Sequence, residues 1–210
     1  MSEIKDKKSW YDGKLYADMY KYLGGKTLDE ITTKLIEPDT SIIDIGCGPG
    51  MLIFHLIRNS RCKRAVGVDL SSKMIDYANI LKKRGNFQNM DFYHMNAVNL
   101  SEQIDERFDY AIATYVLHEL PEDIRHHVLD EMKKVAREII IDEYTVPQPK
   151  LLGIFNWLME ISAGKEHYNN YRNFIESGGI EVLLSQHSLK IKQKITICNA
   201  YVFIKVAMHE

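Results

Sequence analysis

Asp44-Ile45-Gly46-Cys47-Gly48-Pro49-Gly50 is the stretch of this chain best suited to chemistry. Three glycines at alternate positions let the backbone turn tightly and let a ligand approach main-chain atoms. An acid precedes them, and a second acid, Asp69, lies 19 residues past the last glycine. A carboxylate at that spacing can accept hydrogen bonds from both hydroxyls of a ribose. No Gly-Lys-Ser/Thr follows, so this is not a phosphate-cradling P-loop. It also departs from the dinucleotide fingerprint. Met51 stands where G-x-G-x-x-G needs its third glycine, and Pro49 removes a backbone N–H that could face a pyrophosphate. Farther along, His118 could orient a nucleophile or accept its proton, or serve as a hydrogen-bonded turn residue before Pro121. Tyr144 and His167 are further candidates, the latter in a segment with Tyr168 and Tyr171.

These residues need strand ends and turns to position them, and the hydrophobic pattern supplies both. Short apolar runs at Ser41–Ile45, Ala65–Asp69, Asp91–His94, Phe108–Thr114 and Ile139–Asp142 suit parallel strands covered on both faces. Helices fit between them. Thr27 and Glu30 form a T-x-x-E capping box for a helix reaching Ile36. Met51–Asn59 follows the glycine turn. Ser71 or Ser72 caps a helix that runs to Arg84 and stops at Gly85. Pro121 opens a helix that runs to Ala136. The alternation predicts an α/β, Rossmann-like, doubly wound and mostly parallel sheet. Helices are expected over Lys150–Ala163 and Tyr168–Glu176, the second ending at Gly178-Gly179. Two last strands, Leu189–Ile197 and Ala200–Ala207, break at Cys198-Asn199, as an antiparallel hairpin would. Seven strands result, with helices on both faces.

The loop and its neighbours resemble the class I S-adenosylmethionine-dependent methyltransferases. Their first motif, an acid followed by G-x-G-x-G, is matched by Asp44, Gly46, Gly48 and Gly50. VGVDLSSKMI is similar to their second motif and NA, at Asn96-Ala97, to the third, where the family often has Asp-Ala. FDYAIAT running into YVLHEL is similar to the fourth strand and its turn, and IIIDEY to the fifth. The resemblance spans roughly residues 11–206, and its nearest flavour is the quinone, sterol and phospholipid methyltransferases. It implies S-adenosyl-L-methionine as cofactor, S-adenosyl-L-homocysteine as product, and a small-molecule methyl acceptor. The implied cofactor contacts are Tyr16, Asp44, Gly46, Cys47, Gly48, Gly50, Asp69, Leu70, Met74, Asn96, Ala97 and Thr114. Asp44 would attract the methionine ammonium, and Leu70 and Met74 would pack on adenine. A carboxamide at Asn96 can still accept from an adenine amino group. The aromatic N-terminal segment, with Tyr11, Tyr16 and Tyr20, would close over the cofactor.

Composition bounds the alternatives. The 210 residues are 45% hydrophobic and 27% charged, with 27 Lys plus Arg against 29 Asp plus Glu, a net charge of −2. That balance gives no general pull toward nucleic acid, and no Asn/Asp-Pro-Pro-Tyr run occurs. Three cysteines, Cys47, Cys62 and Cys198, show neither disulfide nor zinc spacing, so no metal is expected. No apolar run of about 18 residues predicts a membrane span. A cytoplasmic protein with reduced thiols is expected. One methyltransferase domain over 1–210 is expected, with an N-terminal cap at 1–26 and a helical lid or substrate region at 147–177. The apolar helix at 150–163 reads as a lid, a homodimer surface or an interfacial helix, and the lid is preferred. Two rivals to the enzyme stand: a non-catalytic methyltransferase-fold partner subunit, and an NAD-dependent oxidoreductase.

Overall fold

The computed structural model describes residue 6, residues 13–22 and residues 25–207. Tyr11 and most of the N-terminal cap segment lie outside the described residues. The strands are β1 (Thr40–Ile45), β2 (Cys62–Asp69), β3 (Met90–His94), β4 (Phe108–Thr114), β5 (Ala136–Tyr144), β6 (Lys190–Ile197) and β7 (Tyr201–Ala207). They form one sheet in the order β3-β2-β1-β4-β5-β7-β6. The first five run parallel, and β7 is antiparallel to both β5 and β6. The chain leaves β1 toward β3 on one side and returns to β4 on the other. This reversal opens a crevice at the carboxyl ends of β1 and β4, where open α/β sheets place ligands.

Helices α1 (Lys14–Tyr22), α2 (Gly25–Leu35), α3 (Met51–Arg58), α4 (Ser72–Arg84), α5 (Leu100–Gln103), α6 (Glu122–Val135), α7 (Lys150–Ser162), α8 (Lys165–Glu176) and α9 (Gly179–Gln186) flank the sheet. Alternate strand residues feed two cores. Ile43, Ile45, Ile139 and Ile141 join Leu129, Phe174 and Leu183 on one face. Ile42, Ile112 and Ile140 join Leu35, Ile53 and Ile75 on the other. Side chains buried on both faces explain why these strands read as continuous apolar runs.

Two expectations need correcting, and one helix is additional. Helix α2 starts at Gly25, so Thr27 lies inside its first turn and does not cap it. Pro121 is the residue before α6, one position earlier than a first-turn proline. The helix expected to stop at Gly178-Gly179 does so, α8 ending at Glu176, but an unexpected helix follows: α9 starts after Gly178, at φ 96°, and buries Ile180, Leu183 and Leu184 at helical spacing. The hairpin forms as expected. Cys198 and Asn199, with φ of 50° and 52°, are the central residues of a tight turn closed by the Ala200 N–H donating to the Ile197 carbonyl at 2.9 Å, and Ile197 pairs with Tyr201 across it.

Candidate active site

The glycine loop leaves β1 at the crevice and hands the chain to α3. Gly46, Gly48 and Gly50 all have positive φ, at 68°, 53° and 76°. Two of them are also sterically required. A Cβ on Gly46 would lie 2.4 Å from a Val116 methyl, and one on Gly50 would lie 2.5 Å from the Phe92 ring. The N–H groups of Gly46 and Cys47 donate to the Val68 carbonyl at 2.8 and 3.1 Å, tying the loop to β2. Asp69, at the end of β2, fixes it further. Its Oδ2 accepts from the Gly48 N–H at 2.8 Å and its Oδ1 from the Ser71 N–H at 2.7 Å. Each carboxylate oxygen keeps lone-pair capacity for a ligand hydroxyl.

A pocket opens over this loop. Tyr16, Gly46, Gly48, Asp69, Leu70, Met74, Asn96, Ala97 and Thr114 line it, as the sequence motifs anticipate. Tyr115, Val116, Glu119 and Leu120, from the segment after β4, close the far side. The Tyr16 ring reaches down to Gly48, where a Cβ would sit 3.7 Å from it. The Met74 sulfur accepts from the Gly13 N–H. The Asn96 carboxamide oxygen accepts from the Val98 N–H at 3.2 Å, capping a turn over Ala97–Asn99. The Thr114 hydroxyl is buried without a hydrogen-bond partner, which aims an unsatisfied polar atom at whatever fills the pocket. Tyr115 holds a φ of 54°, a strained conformation for a large side chain.

Three expected contacts stand apart from the lining. Asp44 is buried on the α2–α3 side, and burial, reinforced by Asp29 and Asp69, pushes its carboxyl well above the usual range. Cys47 turns its thiol toward Gly67, in the core, because its backbone makes the turn while its side chain points away from the crevice. Gly50 precedes α3 and packs against Phe92.

The catalytic candidates His118, Tyr144 and His167 come together, but they stand behind the pocket wall and do not line it. His118 sits in a turn over Leu117–Glu119 and is 2% exposed. Its Nδ1 meets Glu143 Oε2 at 2.8 Å, and its backbone N–H donates to Glu143 Oε1 at 3.1 Å. Burial opposes the imidazolium, yet the charge and hydrogen bond of Glu143, aided by Glu160 and Glu119, lift His118 to about 9. The Tyr144 hydroxyl donates to Glu160 Oε1 at 2.6 Å, and His167 Nε2 pairs with Glu160 Oε2. His118 and Tyr144 ring centroids are 4.8 Å apart.

Helix α7 delivers Glu160 in an unusual way. Its buried residues are polar, Asn156 and Glu160, while Leu151, Ile154, Phe155 and Leu158 are exposed. The sequence reading noted the apolar residues and passed over the one acid among them. Glu119 and Arg125 were missed too. Arg125 is 2% exposed and clamps the segment after β4. Its guanidinium donates to the carbonyls of Leu117 at 2.8 Å, Leu120 at 3.0 Å and Asn170 at 3.3 Å, and lies over the Phe174 ring. Asn170 in turn donates to the Glu119 carbonyl at 2.8 Å. These bonds lock the turn bearing His118 and Glu119 to the helix bearing His167.

Comparison with known proteins places this arrangement. Residues 42–138 match a family model described as a methyltransferase domain. A protein of Invertebrate iridescent virus 6, 235L, whose methyltransferase name is itself provisional, is 26% identical over 155 residues, 72% of this chain and 54% of the relative. The chain thus spans about half the length of that curated relative. Magnesium protoporphyrin IX methyltransferase from Synechocystis PCC 6803, solved with bound S-adenosylhomocysteine, has a similar structure. The TM-score is 0.63 at 17% identity, over 89% of this chain and 84% of that one. An O-methyltransferase family protein from Burkholderia thailandensis gives 0.72 at 13% identity, over 92% and 58%. Among the described residues no helix is long and apolar enough to cross a membrane. Motif, strand order and comparisons agree: residues 42–138 match the methyltransferase-domain model, and the chain shares the Rossmann-like fold of the methyltransferase structures it resembles.

Proposed function

We propose that the chain is an S-adenosylmethionine-dependent methyltransferase acting on a small-molecule acceptor. The observation that carries this reading is the charge of the pocket. Its charged lining side chains among the described residues, Asp69 and Glu119, are both carboxylates, and no described Lys or Arg lines it. That set suits a ligand with a ribose and a cationic centre. It does not suit a pyrophosphate, which counts against an NAD-dependent oxidoreductase.

S-adenosylmethionine supplies an electrophilic methyl on a sulfonium, which leaves as the thioether of S-adenosylhomocysteine after in-line displacement by the acceptor. The chain's residues then have these roles. Asp69 accepts from the ribose hydroxyls, with Gly46 and Gly48 giving close backbone approach. Leu70 and Met74 pack on adenine, and Asn96-Ala97 face its edge. Asp44 lies under the loop as a reserve of negative charge for the methionine ammonium, whose arrival would favour its ionised form. Tyr16 covers the loop, and Thr114 offers its hydroxyl. Alignment and water exclusion are the main contribution, worth up to about 7–11 kcal/mol in favourable cases.

On the acceptor side Glu119 is the carboxylate that lines the pocket, beside Tyr115, so it is the proton acceptor for an acceptor that must lose one. His118, Tyr144 and His167 act from behind it as positioning residues. The names of the similar structures, a porphyrin methyltransferase and an O-methyltransferase family protein, support a small acceptor with an ionisable group. We also propose one domain over 1–210 with 147–177 as the substrate region, a cytoplasmic location, no nucleic-acid partner, and a homodimer through the exposed apolar face of α7.

The test is transfer of a labelled methyl group from S-adenosylmethionine to a panel of small phenols, thiols, amines and quinone-like phenols. Transfer to at least one acceptor is expected, reduced about 10²-fold or more in Glu119→Gln. Cofactor binding without transfer to any acceptor favours the non-catalytic partner subunit.

A further inference from the structure

Behind the pocket wall, donor atoms from three separate segments converge. One atom each from His118, Glu119 and His167 lies within 4.8 Å of the others. The Glu160 carboxylate stands among them: its Oε1 is 3.6 Å from His118 Nε2, and its Oε2 pairs with His167 Nε2. Glu119 Oε1 is 3.9 Å from His167 Nε2. Two imidazoles with one or two carboxylates are a ligand set for zinc or another first-row transition ion, not for magnesium or calcium.

The surroundings carry the argument further. The Glu143 carboxylate, wholly buried, pairs with Nδ1 of His118 and so turns its Nε2 toward Glu160 and His167, where a metal ion would displace the Nε2 proton. The acceptor that Nε2 faces, Glu160 Oε1 at 3.6 Å, is beyond hydrogen-bond length. A carboxylate behind a histidine, fixing tautomer and ring, is the usual support of a metal-binding imidazole. Tyr144 fixes Glu160 in the same manner at 2.6 Å, and the Arg125 clamp holds the turn that carries two of the donors. Bonds of about 2.0–2.1 Å to a central ion would draw His118, Glu119 and His167 together around it and replace the Glu160–His167 hydrogen bond.

We propose that His118, Glu119, His167 and Glu160 form a binding site for a divalent transition-metal ion of the zinc class. Glu119 also lines the pocket, so the ion would face the acceptor side of the site. There it would act as a Lewis acid on an acceptor hydroxyl or thiol, whose proton passes to the Glu119 oxygen not bound to the ion. The sequence conceals this site because its ligands come from the β4–α6 turn, α7 and α8, without any short ligand spacing.

The test is calorimetric titration of the full, untagged, chelator-treated chain with ZnCl2, and cobalt(II) absorption as a second readout. One zinc per chain is expected, with magnesium chloride giving no heat. His167→Gln and Glu119→Gln should each weaken binding at least 10-fold, and Glu143→Gln about 10- to 100-fold. A second histidine pair, His126 Nδ1 and His187 Nε2 at 2.8 Å, with Asp130 on the far side of His187, is the control. His187→Gln should leave the affinity unchanged. Circular dichroism checks folding. If His167→Gln fails to fold, Glu119→Gln, whose side chain is more exposed, decides. Absence of stoichiometric zinc binding overturns the proposal, as does binding that survives Glu119→Gln and is lost in His187→Gln. The titration uses no methyl donor, so its outcome is separate from that of the methyltransferase reading.

Discussion

His118 and Glu143, 25 positions apart in the chain, bind each other twice inside the protein: side chain to side chain at 2.8 Å, and backbone N–H to carboxylate at 3.1 Å. One carboxylate thus fixes both the ring of His118 and the turn that carries it. Replacing Glu143 with Leu strands a buried imidazole and a buried N–H. The expected loss is about 3–5 kcal/mol. Glu143→Gln keeps one oxygen for the backbone N–H and should lose less than half of that. Urea denaturation distinguishes the two; equal losses would mean that the pair contributes only volume.

Arg125 should be as demanding. Its guanidinium satisfies the carbonyls of Leu117, Leu120 and Asn170. Arg125→Met fills much of the volume but leaves those carbonyls buried, so a loss of about 3 kcal/mol is expected. Hydrogen exchange should rise in residues 117–120 and 165–173 together. A rise confined to α6 would contradict the clamp.

The close approach of Gly46 to Val116 permits a double-mutant test. Gly46→Ala should destabilise by about 2 kcal/mol or more, from the clash and the positive φ together. Val116→Ala in the same chain removes the 2.4 Å contact but not the backbone strain, so rescue should be partial. Full rescue would mean that strain at Gly46 is negligible, and no rescue that the contact is.

Asp29 predicts a pH dependence. Burial pushes its carboxyl up to about 7; Glu30 adds to this, and the hydrogen bond from the Tyr20 hydroxyl opposes it. His55 also faces it, at 4.0 Å. The folded state therefore holds a proton on Asp29 that the unfolded chain releases near 3.8. The associated stability is fully present below about pH 4 and is lost as pH rises to about 7, at up to about 1.4 kcal/mol per pH unit. Asp29→Asn should remove this decline. Its stability relative to wild type should grow between pH 5 and 7 and level off above 7. A constant difference across that range would show that Asp29 ionises normally in the fold.

The parallel strands and the cofactor loop were legible in the sequence for a physical reason. Strands buried on both faces leave apolar runs, and a loop that must adopt positive φ leaves glycines, so Ile42–Ile45 and Gly46, Gly48 and Gly50 declare themselves locally. Of the two cap candidates Ser71 and Ser72, Ser71 caps α4. The region behind the acceptor side was not legible. Glu160 lies on a helix whose apolar residues point outward, so hydrophobic periodicity misdirects the eye from its buried face. Arg125 looks like one more charge on a charged helix until the fold encloses it. Glu160 and His167 meet the His118-Glu119 turn only through tertiary packing, for which no local spacing exists. Helix α9 was hidden because the two glycines after α8 stop one helix and start the next.

The central claim is that the glycine loop and Asp69 form an S-adenosylmethionine site. The most direct test is thermal unfolding with S-adenosylmethionine, S-adenosylhomocysteine and NADH side by side, repeated on Asp69→Ala. A ligand at 100 times its Kd adds about 2.7 kcal/mol, roughly 5–10 °C for a chain of this size. Both sulfur nucleotides should give that shift with the wild-type chain, NADH should give none, and Asp69→Ala should abolish it. A folded protein that responds to neither sulfur nucleotide, or that responds to NADH instead, would contradict the account.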